Sequence, residues 1–366
     1  MRTILLPYTR TKIGGSHISG VSLASGLRSR FGVRCVVAAP PGAQVLSFAS
    51  QTGIETLELR DAPAGRWRPH YDLARTPSRM AILARLGKGT IVHCNDLSSL
   101  QAWLLAAKLT RTPIVFHARG LDRRFWPYDM LRRAADHVVA ISACCDANMG
   151  FIPADRRSIL INPFMTPVDY DAAGQRANIL RELGAPPDSR LVGFVGNFWR
   201  RKRPDFFIEV AARLAAEDPS AYFVLFGRDS EMTTDQLRRQ LSEIGLATRT
   251  LLAGFRLPPE ANIAALDLLL APALREPFGR TLVEALLMGV PYVATDDAGH
   301  SEIHARWGGG ALLPEAADAQ TYSRACAEVL NDRASTALSL ARRREIAAIL
   351  SPERHAEDVM AVYENL

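Results

Sequence analysis

Short apolar runs alternate with longer stretches of helical periodicity along the chain, and this alternation leaves few folds open. In the first half, Thr3–Pro7, Arg34–Ala38, Thr90–Cys94, Pro113–His117 and His137–Ile141 read as strands. Helices lie between them, including Ile18–Phe31, Ser98–Thr110 and Ala143–Met149. Asn162, Pro163 and Pro167 break the pattern, and a polar stretch containing Pro186-Pro187 runs on to Ser189. The alternation then restarts with strand Leu191–Val195, helix Asp205–Ala216, strand Tyr222–Phe226, helix Asp235–Ile244 and strand Thr250–Ala253. Strand Leu268–Ala271, a loop, helix Thr281–Met288, strand Tyr292–Ala294 and helix Asp318–Asn331 follow. Apolar strands alternating with helices argue for parallel sheets covered on both faces. The expected organisation is α/β: a doubly wound (Rossmann-like) domain at 1–165, a hinge at 166–190, and a second at 191–350. A last helix at 351–366 (Pro352–Glu364) packs back on the first domain. Ligands of such sheets bind beyond the carboxyl ends of the strands, so a cleft facing both sheets is expected to hold the site.

At 366 residues the chain is long enough for two cores of ordinary size. The net charge of +6 hides an asymmetry. Up to residue 170 there are 22 Lys+Arg and 11 Asp+Glu, giving +11; the remainder has 22 and 27, giving −5. A basic first half suggests an anionic partner, whether phosphate groups, an acidic glycan or a membrane surface. No zinc-finger spacing or RNA-binding signature accompanies it, so nucleic acid ranks last. Five cysteines (Cys35, Cys94, Cys144, Cys145, Cys326) form no disulfide framework and fit a reducing cytoplasm. No apolar run approaches the ~20 residues that a spanning helix needs, and Thr3–Pro7 is too short for a signal segment. Any membrane contact would be peripheral, at the inner face.

Leu274 to Pro291 reads Leu-Arg-Glu-Pro-Phe-Gly-Arg-Thr-Leu-Val-Glu-Ala-Leu-Leu-Met-Gly-Val-Pro and carries the most chemistry. Glu276 stands in the loop and Glu284 in the first turns of a helix stopped by Gly289 and Pro291. A helix N-terminus between them attracts phosphate. Two carboxylates that accept hydroxyl bonds, flanking a phosphate socket, describe a nucleotide-sugar site. Thr281 and Glu284 also fit a capping box, which would make Glu284 structural. Upstream, Gly196-Asn-Phe-Trp-Arg-Arg-Lys202 follows a strand, so that the loop turns at glycine and Lys202 reaches a phosphate; a solvated basic loop is the plainer alternative. In the first half, Gly14-Gly15 sits between a strand and a helix, where the backbone can approach a phosphate or an acceptor sugar. Asp96 reads as the cap of the Ser98 helix.

These landmarks, with His93 to Asp96, His117 to Gly120, Ala135 to Ser142, Asn162-Pro163, Gly227 and Gly254-Phe255, resemble in order and spacing the retaining glycosyltransferases of GT-B fold, glycosyltransferase family 4. The resemblance covers nearly the whole chain and is most specific from Leu191 to Ile303. It implies a GT-B architecture and transfer of a sugar from a nucleoside-diphosphate sugar to a glycan or lipid-linked acceptor, in polysaccharide, lipopolysaccharide or glycolipid assembly. It implies that Glu276 bonds hydroxyls of the donor sugar, Glu284 those of the ribose, and the amides of Gly279, Arg280 and Thr281 the diphosphate. Phe278 lies in the same loop, and Gly196, Asn197, Arg201 and Lys202 line the phosphates. Phe255 and Arg256 stand beside the nucleobase, with a plain core aromatic the alternative for Phe255.

The family usually has an arginine where this chain has Asn197, and Arg200 or Arg201 is the substitute. A histidine usually precedes the glycine at Gly120, where this chain has Arg119, so His117 or Arg119 is expected to contact the transferred sugar; His117 also reads as a core histidine. Gly14, Gly15, Ser16 and Arg119 form the acceptor and phosphate loop. No cofactor is implied, and with Lys202 present no metal is expected. Two basic aromatic segments remain: Arg66-Trp67-Arg68 leading to Arg75, Arg79, Arg85 and Lys88, and Leu121–Tyr128 with Arg123, Arg124, Phe125 and Trp126. Either could rest on anionic lipid; a solvated helix face over the core is the competing account of the first. An epimerase or hydrolase of the same fold, and a nucleotide-sugar-binding module without activity, are the rival functions.

Overall fold

The computed structural model describes residues 2–59, 69–121 and 124–366, with Pro69 and His70 as backbone only. Arg66, Trp67, Arg68 and Arg123 lie outside the described residues. The chain divides into two compact units, Met1–Met165 with Ala348–Leu366, and Thr166–Ala347.

In the first unit the elements run β1 (Thr3–Pro7), α1 (Gly15–Phe31), β2 (Arg34–Ala39), α2 (Gln44–Gln51), β3 (Glu55–Glu58), α3 (Pro69–Leu86), β4 (Thr90–Cys94) and α4 (Leu97–Thr110). They continue β5 (Ile114–Ala118), α5 (Trp126–Ala134), β6 (His137–Ala140), α6 (Ala143–Asn148) and β7 (Arg157–Ile159). The strands form one sheet in the order β3-β2-β1-β4-β5-β6-β7, all pairs parallel. Successive residues of a strand face opposite sides, which is why these strands are apolar throughout. Ile4 and Leu6 of β1 enter the core with α1 and α2, whereas Leu5 enters the one with α4. The edge strand β3 reads Glu-Thr-Leu-Glu and is largely exposed, so it carries no apolar signature.

The second unit holds α7 (Ala173–Leu183), β8 (Arg190–Val195), α8 (Pro204–Glu217), β9 (Ala221–Phe226), α9 (Thr234–Glu243), β10 (Thr250–Gly254), α10 (Pro259–Ala264) and β11 (Leu268–Ala271). Then come α11 (Arg280–Met288), β12 (Tyr292–Thr295), α12 (Gly299–Trp307), β13 (Gly310–Leu313), α13 (Ala319–Asn331) and α14 (Arg333–Thr336). Its sheet has the order β10-β9-β8-β11-β12-β13, again all parallel. In both sheets the strand order reverses once, between β1 and β4 and between β8 and β11. A crevice opens at each reversal beyond the carboxyl ends of the strands.

The stretch 166–190 is not a bare hinge. Helix α7 lies in it, burying Ile179 and Leu180, and Arg176 ties it to the second unit by bonds to Asp267 (2.8 Å), Ala265 O (3.0 Å) and Ser189 O (2.6 Å). The polar face of α7 masked its helical period. The second unit closes at Ala347 rather than 350, within α15 (Leu340–Ile349). After α15, α16 (Pro352–Glu364) packs on α1 in the first unit. That packing depends on Gly26, because a Cβ there would sit 2.1 Å from the Pro352 carbonyl oxygen. Arg79 of α3 is not a solvated cation: it is buried and bonds Asp72 (3.1 Å) and Ala102 O (2.6 Å). All five cysteines are free thiols. Among the described residues no helix is long and apolar enough to cross a membrane.

Candidate functional site

At the reversal of the second sheet, the loop after β8 passes Gly196 and closes in a single turn at Arg200–Lys202. The loop after β11 meets it through Leu274 N, which donates to Arg201 O (2.7 Å). This backbone link brings Lys202 Nζ to 2.6 Å and Arg201 Nη1 to 3.0 Å from Glu276 Oε2. Glu276 is buried, its Oε1 accepts from Gly279 N (3.3 Å), and its carbonyl accepts from Gly299 N (2.8 Å). Burial alone would raise the Glu276 pKa, but Lys202, Arg201 and His300 together hold the carboxyl far below its usual range. It is therefore a buried carboxylate, charged at neutral pH and fixed between two cations. Of the two candidate arginines, Arg201 is the one that bonds Glu276. Arg200 is exposed, and its backbone amide donates to Glu231 (2.9 Å).

Helix α11 starts from Gly279 at φ 91°, a left-handed conformation that suits glycine, and carries no side-chain cap. The Thr281–Glu284 capping box, the alternative reading of Glu284, does not form. Glu284 instead pairs with Arg280 Nε at 2.7 Å, and glycine at the cap position leaves Thr281 two residues past the cap, inside the helix. Burial raises the Glu284 pKa despite Arg280. Two buried carboxyls of one loop and helix are thereby pushed in opposite directions. The positive end of α11 stands between them. Phe278 is buried, and its backbone lies so close to Gly299 that a Cβ there would be 2.5 Å from Phe278 Cα. This close approach seats His300, fully buried with its pKa pushed down to about 4 by burial, beside Gly279.

The remaining residues of this region are less uniform. Asn197 Oδ1 accepts from Arg228 N (3.3 Å) and serves the loop's own structure. Phe255 is not a core aromatic: it is 38% exposed, with the Arg228 guanidinium 3.5 Å above its ring. Arg256 is held by Glu182 through two bonds of 2.8 and 2.6 Å.

At the reversal of the first sheet, a cavity of about 380 Å³ is lined by Arg10, Ser16, His17, Asn95, Asp96 and Arg119, among others. Gly14 caps α1 without a side chain, and Gly15 is its first residue. Asp96 caps α4 as expected, accepting from Ser99 N (2.7 Å). Arg119 is positioned by Asn95 Oδ1 (3.0 and 2.8 Å), Asn162 Oδ1 and His117 Nδ1 (3.1 Å).

His117 lies elsewhere. It is fully buried beneath the cavity, 3.1 Å from His93 Nε2 and stacked on His355 at 6.0 Å between ring centroids. Tyr363 of α16 completes the chain at 2.7 Å from His93 Nδ1. Burial, with Arg119 adding to it, pushes His93 and His117 well below the usual histidine range and His355 to about 3. Of the two expected sugar contacts, His117 is therefore a core histidine, and Arg119 is the one that reaches open space.

His17, His300 and Arg10 escape a reading of the sequence. His17 directly follows Gly14-Gly15-Ser16 and could have been included in that loop; His300 has no local signal, since only the close passage of Gly299 by Phe278 brings it in.

Two doubly wound units with a lined crevice at each strand-order reversal define an α/β protein of GT-B architecture. Residues 13–157 match the model of Glycosyltransferase Family 4 and residues 175–347 that of Glycosyl transferases group 1. The chain belongs to the GT-B glycosyltransferases. The lipopolysaccharide core biosynthesis mannosyltransferase LpsB of Rhizobium meliloti is 33% identical over 51% of this chain and 54% of its own length. The mannosyltransferase LpcC of Rhizobium leguminosarum bv. viciae is 26% identical over 84% of this chain and 85% of its own. The chain spans about half the length of several curated relatives it matches. The crystal structure of Anabaena HepE with UDP and glucose superposes with a TM-score of 0.83 at 19% identity, covering 100% of both chains, a likeness of fold.

Proposed function

We propose that this chain is a retaining glycosyltransferase, moving a sugar from a nucleoside-diphosphate sugar to a glycan or lipid-linked acceptor of polysaccharide, lipopolysaccharide or glycolipid assembly. The observation that carries this reading is the Lys202–Glu276–Arg201 cluster beside the glycine-capped start of α11. A carboxylate held ionised accepts hydroxyls of the donor sugar without taking their protons. Lys202 and Arg201, shared between Glu276 and the diphosphate, place positive charge where the leaving group gains negative charge. Donors fixed at such a position are each worth about 3 kcal/mol of barrier. The start of α11 adds its dipole to the same task. Glu284 keeps one oxygen on Arg280 and offers the other to the ribose diol. In the reaction the bond from the anomeric carbon to the diphosphate oxygen breaks and one to the acceptor oxygen forms on the same face. The acceptor proton passes to the departing diphosphate. The two cations supply the charge that a metal would otherwise bring.

The UDP and glucose of HepE and the mannosyltransferase relatives support a nucleotide sugar as donor and a lipopolysaccharide-type acceptor. The test is a transfer assay over a panel of nucleotide sugars with the anomeric configuration of product read by NMR. Glu276→Ala and Lys202→Ala should each lower turnover on the order of 10²–10³-fold with the fold retained. Near-wild-type rates in either variant, or an inverted product, would overturn the assignment. Donor consumption at the full rate without acceptor would favour the hydrolase or epimerase reading.

Peripheral membrane contact belongs to the same proposal. Helices α3, α4 and α5 pack side by side, and Leu105, Leu109, Trp126 and Met130 project from the last two as exposed i, i+4 pairs near exposed Arg111 and Arg133. Sedimentation with anionic but not neutral vesicles is expected, and its absence at low salt would remove this part.

A further inference from the structure

Four non-glycine residues among those described hold a positive φ: Arg111, Arg203, Arg275 and Ala298. Three of them border the Glu276 cluster. Arg203 (φ 55°) directly follows Lys202, and Arg275 (φ 51°) directly precedes Glu276. Ala298 (φ 49°, ψ −119°) directly precedes Gly299, whose amide donates to the Glu276 carbonyl at 2.8 Å. A side chain at positive φ crowds its own backbone, so such residues persist where the surroundings hold them there. Arg203 is held between two helical turns, its amide donating to Arg200 O (3.0 Å) and its carbonyl accepting from Phe207 N (3.0 Å). Arg275 stands in a loop, and its amide donates to Oδ2 of Asp297, on the turn after β12. Asp297 does not serve its own helix, because α12 starts from Ala298 and has no side-chain cap. One turn therefore grips Glu276 on both sides: Asp297 takes the amide of the residue before it, and Gly299 N takes its carbonyl. The turn is itself stiff. Asp297 N donates to Thr295 O (3.0 Å), His300 N to Asp297 O (3.0 Å), and the Ser301 hydroxyl to Asp296 Oδ1 (2.6 Å). Lys202 and Arg201 have flexible stems that would follow the Glu276 carboxylate if it moved, so they do not fix its direction. The backbone on either side of it does.

We infer that Asp297 is a positioning residue for sugar transfer: by accepting from Arg275 N it holds the left-handed turn that aims the Glu276 carboxylate. Its contribution is an acceptor oxygen at a fixed place, not a charge near the substrate. The inference rests on the transferase reading for the reaction served, and on these contacts alone for the positioning. A small displacement of a group that must meet particular hydroxyls costs rate far more than it costs stability.

Three variants of the full chain, Asp297→Asn, Asp297→Glu and Asp297→Ala, test this in the transfer assay with the nucleotide sugar that the wild-type chain uses. Asp297→Asn keeps a carbonyl oxygen where Arg275 N needs it, and its kcat should stay within about threefold of wild type. Asp297→Glu keeps the charge but moves the acceptor by one methylene, and Asp297→Ala removes it. Each should lower kcat on the order of 10–100-fold. KM for the nucleotide sugar should stay within about threefold, because the diphosphate contacts remain. Should Asp297→Ala not fold, the Asn and Glu variants carry the test. Asp297→Asn as slow as Asp297→Ala, or Asp297→Glu as fast as wild type, would overturn the inference by making charge the property that matters. A lowered Tm with an unchanged rate per folded molecule in the Glu and Ala variants would overturn it too, leaving Asp297 purely structural. In crystals of Asp297→Glu without donor, the bond from Gly279 N to Glu276 Oε1, 3.3 Å in the wild-type chain, should be lost; its retention would count against the positioning. A wild-type chain that transfers no sugar loses the transferase reading, and this crystallographic comparison then decides the positioning by itself.

Discussion

The two strand-order reversals are built alike and filled differently. Each gathers polar side chains beyond the carboxyl ends of a parallel sheet, and each buries titratable groups there. In the second unit the buried group is Glu276, ionised because Lys202 and Arg201 stand within 3.0 Å of it. In the first unit the buried groups are His93, His117 and His355, neutral because burial opposes their charge and Arg119 adds to the opposition. A buried charge with fixed counter-charges can act on a charged ligand. A neutral, mutually bonded histidine chain instead stiffens the scaffold and aims Arg119.

That contrast predicts which variants lose chemistry and which lose stability. The largest effect is expected for Lys202→Ala: a loss of turnover on the order of 10²–10³-fold with the fold retained. A comparable kinetic loss in His117→Ala, at unchanged Tm, would break the comparison. For His117→Ala the expected cost is instead about 2–3 kcal/mol of stability, from the cavity left and the bonds lost by His93 and Arg119. Denaturant melts of the folded enzyme would measure it, with the rate per folded molecule staying within the same order of magnitude. Gly26→Ala should cost about 1–3 kcal/mol by forcing α16 off α1, read as faster hydrogen exchange in α16 and not in the second unit.

Acid should separate the two units as well. Folded-state histidines with depressed pKa bind fewer protons than the unfolded chain, so their stabilisation is complete above 6.5. It is lost as pH falls, toward about 4 for His17 and about 3 for His355. Each contributes up to about 1.4 kcal/mol per pH unit below that point. The first unit has five such groups in His17, His93, His117, His137 and His355, whereas His300 is the one in the second among the described residues. Glu276, also depressed, begins to withdraw its stabilisation only below 4.5. Hydrogen exchange between pH 6.5 and 5 should therefore rise first in the first unit; equal slopes would contradict the burial argument. The smallest effect expected is none, since chelation by EDTA should leave transfer unchanged if Lys202 and Arg201 supply the positive charge.

Much of this architecture was legible in order. Apolar runs located the central strands because both faces of a parallel sheet are covered, and Gly289 marked the end of α11 at φ 70°. Lys202 and Glu276 were legible from loop chemistry. Hidden from that reading were the edge strand β3, mostly polar because it is largely exposed, and α7, whose Arg176 finds its carboxylate on a distant segment. The residues by themselves determined the alternation, the two parallel sheets and the presence of a lysine and a glutamate in loops that end two strands, since local periodicity and turn chemistry act over a few residues. Tertiary structure alone decided that His117 is neutral core while Arg119 meets open space, that Arg201 rather than Arg200 reaches Glu276, and that Glu284 pairs with Arg280 instead of capping. Burial and charge pairing depend on what other segments bring within a few ångströms, and no local pattern encodes that.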